Sequence, residues 1–401
     1  MTPMPVTPPT PAPAAPAPAP PAVVAMGTVT STDAVLAGAS LSGANVWKRL
    51  PTKAQVSSTD RLLSLPGYRS SVALAYGLNL TLLSATQVEI VPPDSRGIPG
   101  VVVNYGRMIV APDGKPNAEL RIGGSLKQGQ IVFTTGDSVV AFEVRPLRVD
   151  GQDPTTTLAP VVVDLYVAQG EIQWTDYTDA TGKQIPIKAP ARLSLGVPPL
   201  ADSPEAQSLP LWLTSDDRNT LEKEAAPVVE AETRGDRAIT LALKELANDR
   251  RQEVRLLAIR SLMYLDECDA LVAALRDEGQ SRNWDAGVEA LREACALSPA
   301  SAMRVKKALE AHRGPTKGSE LFRMLYGFSG EQLKSGGAAI LVKALDHEDL
   351  EFRVISFFNL RRISPKTQTS YRPNTNEAVR RPQIVRWEQA LKNGDLAPKG
   401  P

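Results

Sequence analysis

The chain has 401 residues, with 45 Lys and Arg against 44 Asp and Glu for a net charge of +1, so its overall charge implies no polyelectrolyte partner. Its 2 cysteines exclude a disulfide-stapled scaffold and a cysteine-rich zinc module, and its 2 histidines, His312 and His347, exclude a histidine-rich metal site. Hydrophobic residues make up 42 %, enough for a sizeable core, and the length suggests two or three domains of roughly 100–200 residues.

Residues 1–22 contain 10 prolines and no charged side chain. Proline at every second or third position favours an extended polyproline II spacer, and the segment lacks the basic start and continuous apolar run of a secretory signal. We expect residues 1–40 to be a disordered Pro/Ala-rich spacer. No stretch reaches the roughly 18 apolar residues of a membrane span, so any membrane contact is expected only through an anchor upstream of Met1.

From 41 to 197 the apolar period is two. Val72, Leu74 and Tyr76 alternate with small residues, and the pattern continues through Leu80, Leu82, Val88, Ile90, Val101, Val103 and Tyr105, then Val161, Val163, Leu165 and Val167, then Ile172 and Trp174. Turn pairs such as Pro66-Gly67, Asp113-Gly114 and Asp150-Gly151 punctuate it. Alternation over short runs marks strands with one buried face, which predicts a hairpin-rich, β-sandwich-like all-β domain.

Residues 198–235 read as a Pro-rich linker and a connecting helix over 216–233, capped by Thr214, Ser215 or Asp216. From 236 to 397 the period becomes 3.6 and a unit recurs. Leu241–Leu246 leads through Asn248-Asp249 into Val254-Arg255, and Leu341–Leu345 leads through Asp346 into Phe352-Arg353, with Leu271–Leu275 and Gly287–Cys295 between them. Paired short amphipathic helices joined by an Asp-containing turn predict an α-superhelix.

The turn aspartates and the arginines that open the second helices, Asp249 with Arg255 and Asp346 with Arg353, resemble HEAT repeats. That resemblance implies that each arginine reaches a turn carboxylate and ties neighbouring units together. The stretch Val56–Leu74, with Asp60, Pro66-Gly67 and the following strand, then Gly77, Leu80, Leu82, Val88–Ile90 and Val101–Arg107, resembles a FecR-type domain. Such domains are extracytoplasmic modules of bacterial signalling regulators, which implies a place on the outer side of the inner membrane.

Catalytic vocabulary is sparse. No histidine precedes residue 312, so the β half cannot hold a Ser-His-Asp set. Gly327-Phe328-Ser329-Gly330 is no nucleophile elbow and reads as a turn at a helix end. Asp176–Gly182 lacks the ligand spacing of a calcium loop. Cys268 and Cys295 read as buried free thiols, although sequence leaves their pairing open. No catalytic, cofactor or metal residues are expected. From residue 350 onward 10 Lys and Arg face 4 acids, which offers Arg361, Arg362, Arg380, Arg381 and Arg386 as contacts for an anionic partner, or simply a charged capping unit.

The expectation is a non-enzymatic protein–protein interaction scaffold of the bacterial cell envelope, needing no cofactor and binding another protein rather than nucleic acid. The alternatives are a FecR-type regulator whose anchor lies outside this sequence, and a binder of anionic polymers or nucleic acid through the basic C-terminal repeats. Neither half is expected to gather reactive groups into a cleft.

Overall fold

The computed structural model describes residues 23–40, 46–124, 127–178, 182–195, 209–216, 218–235, 237–365, 367 and 370–396. The expected polyproline segment 1–22 lies outside them.

Fifteen strands come first: β1 (Ala25–Val29), β2 (Leu36–Ser40), β3 (Lys48–Leu50), β4 (Gln55–Ser57), β5 (Asp60–Ser64), β6 (Arg69–Leu74), β7 (Leu78–Val91), β8 (Gly100–Pro112), β9 (Ala118–Gly124), β10 (Lys127–Phe133), β11 (Val139–Pro146), β12 (Val161–Gln169), β13 (Glu171–Asp176), β14 (Gln184–Lys188) and β15 (Ala191–Ser194). Among the described residues they form one hydrogen-bonded mixed sheet with two wings that share the long pair β7–β8. One wing runs β14-β13-β10-β9-β8-β7-β5-β2-β3, and the other runs β4-β1-β6-β7-β8-β11-β12-β15.

The sharing works because the pair β7–β8 is interrupted midway. Leu78–Leu83 pairs with β6 and with Arg107–Pro112, whereas Gln87–Val91 pairs with β5 and with Gly100–Tyr105. At the irregularity Gly106 has φ 99°, and a Cβ there would lie 2.6 Å from the Cα of Thr86. Only glycine fits that position. Inward side chains of both wings, such as Val72, Leu80, Val103, Val110, Phe133, Phe142 and Trp174, join one apolar cluster. All pairings are antiparallel except the three-residue register of β8 with β9.

The sheet begins earlier than the periodicity suggested. Residues 23–40, expected to be disordered spacer, supply β1, which pairs with β4 and β6, and β2, which pairs with β3 and β5. Their Ala-, Gly- and Ser-rich runs carry too little hydrophobic contrast to read as strands.

The helices follow: α1 (Leu211–Thr214), α2 (Thr220–Glu232), α3 (Ile239–Leu246), α4 (Gln252–Tyr264), α5 (Asp269–Ala274), α6 (Trp284–Leu297), α7 (Pro299–Leu325, broken at Gly314), α8 (Gly330–Gln332), α9 (Ala338–Ala344), α10 (Leu350–Ile363) and α11 (Glu377–Lys392). The connecting helix starts at Thr220 rather than 216. Asn219 caps it in a capping box with Glu222, while Asp216 accepts from the amide and guanidinium of Arg218 instead. Ser329 begins a helix, as the cap of α8. Neighbouring helices pack on one another: α3 on α4, α5 on α6, α6 on α7, α9 on α10 and α9 on α11.

The two halves are not independently cored. Ala34, Val35, Trp47, Leu63, Leu65, Tyr68 and Tyr105 of the sheet belong to the same apolar cluster as Val229, Leu243, Leu257, Leu262 and the rest of the helical interior. Polar ties reinforce the joint. The Tyr68 hydroxyl donates to the carbonyl of Ala226 at 2.7 Å, Arg49 pairs with Glu230, and Arg69 donates to the carbonyls of Trp212 and Ser215 at 3.0 and 2.9 Å.

Candidate functional site

A cleft of about 760 Å³ lies where sheet and helices meet. Its sheet wall is the β7–β8 irregularity, at Ser84, Ala85, Tyr105, Gly106 and Arg107, with the end of β11 and the residues after it, Glu143 to Arg148 and Asp150. Its helix wall presents Arg218, Glu222, Arg260, Tyr264, Glu289, Glu293, Ala296 and Arg362. Ionisable groups of both halves therefore line one cleft, an arrangement the separate reading of each half did not include. Each half supplies only one wall, so neither half's sequence discloses the site.

The segment after β11 is held against the helices. Arg148 pairs with Glu289 at 2.5 Å, and the amide of Gln332 donates to the carbonyl of Gly151 at 3.0 Å. Gly151 has φ 88°, and a Cβ on it would come within 2.5 Å of the Ser329 nitrogen. Arg292, on α6 and 2 % exposed, donates to the Leu325 carbonyl at 2.7 Å, to Asn359 Oδ1 at 3.1 Å and to Asp150.

Most charges in the cleft are neutralised in place. Arg107 meets Glu143 at 2.9 Å, Arg260 meets Glu222 at 2.9 Å, Arg218 meets Asp216 at 2.9 Å, and Arg362 approaches Asp150 at 3.8 Å. Burial by itself raises the Glu289 carboxyl, but its bond to Arg148 and the arginines around it outweigh that and hold it below the ordinary glutamate value. At the inner end Tyr105 and Tyr264 lie with ring centroids 5.8 Å apart. The Tyr264 hydroxyl donates to Glu293 Oε1 at 2.5 Å, and burial followed by the Glu293 charge pushes that phenol well above its ordinary value. Among the described residues no three His, Cys, Asp or Glu side chains converge as a metal-binding group.

Of the two repeat arginines, Arg353 makes structural contacts and Arg255 does not reach Asp249. Asp249 accepts from the amide of Arg251 at 2.7 Å and pairs with its guanidinium at 3.2 Å, whereas Arg255 Nε is buried without a hydrogen-bond partner. The tight turn puts the Asp249 carboxylate on the amide two residues on, that of the residue preceding α4. Arg353 donates to the carbonyls of His347 at 2.6 Å, Glu348 at 2.8 Å and Pro373 at 2.7 Å, while Asp346 lies 3.6 Å from Arg380. It binds the open carbonyls of the turn rather than the turn carboxylate.

Of the basic C-terminal set, Arg361 pairs with Asp285, Arg362 with Asp150, Arg380 with Asp346 and Arg381 with Glu388 at 3.2 Å, and Arg386 is exposed. Asp176 accepts from the amide and hydroxyl of Thr178 at 2.7 and 2.6 Å, a local turn. Cys268 and Cys295 are both free and buried, and burial pushes the Cys268 thiol up to about 12. His347 Nδ1 accepts from the Asp349 amide at 3.0 Å, and its ring stacks on Phe352. His312 Nε2 lies 4.0 Å from Asp269, away from the cleft.

Fold and site together define a β-then-α protein with an ionic cleft at the junction of its halves. No protein-family model matches the chain, and comparison with curated proteins finds no match.

Proposed function

We propose that this chain is a non-enzymatic protein–protein interaction scaffold, a FecR-like sheet module fused to a HEAT-like helical superhelix and acting in the bacterial cell envelope. The cleft at their junction is the docking groove for a segment of the partner. The observation that carries the reading is the state of the cleft's charges: arginines and carboxylates line both walls and are mostly tied to one another. Paired charges in fixed geometry favour recognition, whereas acid–base chemistry needs a group free to take or give a proton at the reacting atom. The shared apolar core supports it further, since both walls of the cleft are anchored in it, and a groove formed before binding costs a partner little ordering.

The experiment is selection of random extended peptides on the full chain, repeated on Ala296→Trp, which fills the groove. Enrichment on the native protein that disappears in Ala296→Trp, at an unchanged melting temperature, is the expected result. Absence of enrichment, or enrichment that survives the plug, overturns the proposal.

A further inference from the structure

Resting on that reading, we infer that the groove takes a polypeptide segment carrying side chains of both signs: a carboxylate for Arg145 and an ammonium or guanidinium for Glu293. Eleven charged residues line the cleft, and nine of them have an opposite charge within ion-pair distance. The other two are Arg145 on the sheet wall and Glu293 on the helix wall.

Their placement follows from local geometry. Glu289 and Glu293 stand one turn apart on α6 and so share a face. Across from them the chain presents Arg145 at the end of β11 and Arg148 just beyond. One rung of this ladder, Arg148 to Glu289, is closed at 2.5 Å. The second rung is open. Among the described residues Arg145 is exposed with no ion pair, and Glu293 receives only the neutral Tyr264 hydroxyl. Beside Glu293, Tyr105 is 7 % exposed and lines the cleft, its hydroxyl a donor suited to a main-chain carbonyl.

A half-buried carboxylate without a cation retains a desolvation cost that an incoming opposite charge offsets. A chain of one sign meets this groove badly. A polyanion gains Arg145 but is repelled by Glu293 and the carboxylates around it, and a polycation faces the converse. Polypeptide is the polymer that carries both signs at residue spacing.

The test is calorimetric titration of the full chain with four Ala/Ser octapeptides: one with Glu and Lys, one with Glu alone, one with Lys alone, and one uncharged. We expect the mixed peptide to bind about tenfold or more tighter than the others and to weaken with salt. Arg145→Glu and Glu293→Gln should each reduce that affinity about tenfold at unchanged melting temperature, and the double exchange Arg145→Glu with Glu293→Lys should restore it. Glu293→Gln keeps an acceptor for Tyr264, so a loss there reports charge rather than misfolding. Equal binding of all four peptides, abolished by Ala296→Trp, leaves the groove standing and overturns the charge rule. Mixed-peptide binding indifferent to Arg145 and Glu293 overturns it as well. Failure of every peptide to bind removes the groove itself.

Discussion

At the level of single residues, the Asp150–Arg292 pair couples the segment after β11 to the helical interior. Arg292 sits in the helical interior with its charge answered by Asp150 from the sheet side and by the acceptors on Leu325 and Asn359. Removing the carboxylate leaves a buried cation short of its anion, at a cost of about 2–3 kcal/mol. Asp150→Ala should therefore lower the urea midpoint clearly and Asp150→Asn less, because the amide keeps an oxygen acceptor. An unchanged midpoint in Asp150→Ala would show that the loop is held without this bond.

Titration follows from the same kind of contact. Burial raises Glu230, but its bonds to Arg234 and Arg49 outweigh it, and Glu289 is likewise held below the ordinary value of 4.5 by Arg148. A carboxylate depressed in the folded state binds protons more readily when unfolded. Its contribution is present above pH 4.5 and is lost as the pH falls through the lower folded value. The melting temperature should fall with acidification below about pH 4.5, and a Glu230→Gln, Glu289→Gln variant should show a flatter acid limb.

Among the elements, the segment linking β11 to β12 decides how the helices dock. It passes so close to the start of α8 that position 151 tolerates neither a Cβ nor, without strain, any residue but glycine at φ 88°. Gly151→Val should lower stability by at least the roughly 1–2 kcal/mol of a left-handed non-glycine residue, measurable as a drop in melting temperature, with further loss from displacement of the loop. Helix placement by contrast was readable. The runs 241–246, 254–262 and 352–360 fall within α3, α4 and α10, and 341–345 overruns the end of α9 by one residue, because amphipathic period is a local property. The Arg–carboxylate stitches were not readable, since a guanidinium satisfied by turn carbonyls leaves the same sequence pattern as one satisfied by aspartate.

For the molecule as a whole, the consequence of a shared core is cooperativity. Leu63, Leu65, Tyr68 and Tyr105 of the sheet share one apolar cluster with the helices. Calorimetry of the full chain should show one unfolding transition, and a fragment of 209–396 expressed alone should lack cooperative melting and bind a hydrophobic dye. Two well-separated transitions, or a fragment that melts sharply, would contradict the common core.

Sequence alone determined the order of the two halves, because the change from period two to period 3.6 arises within a few residues of chain and needs no knowledge of what lies opposite. It also showed where most strands and several of the helices run. It could not show that residues 23–40 are strands, since small side chains carry little pattern, nor that the sheet closes onto the helices. The cleft belongs entirely to tertiary structure: Asp150 and Arg292 are 142 positions apart, and only the docking of the halves brings their neighbours Arg145 and Glu293 to the walls of one groove. Charges so distant along the chain leave no mutual trace in composition or spacing, because the energy that joins them depends on distance through space and burial, not on separation in sequence.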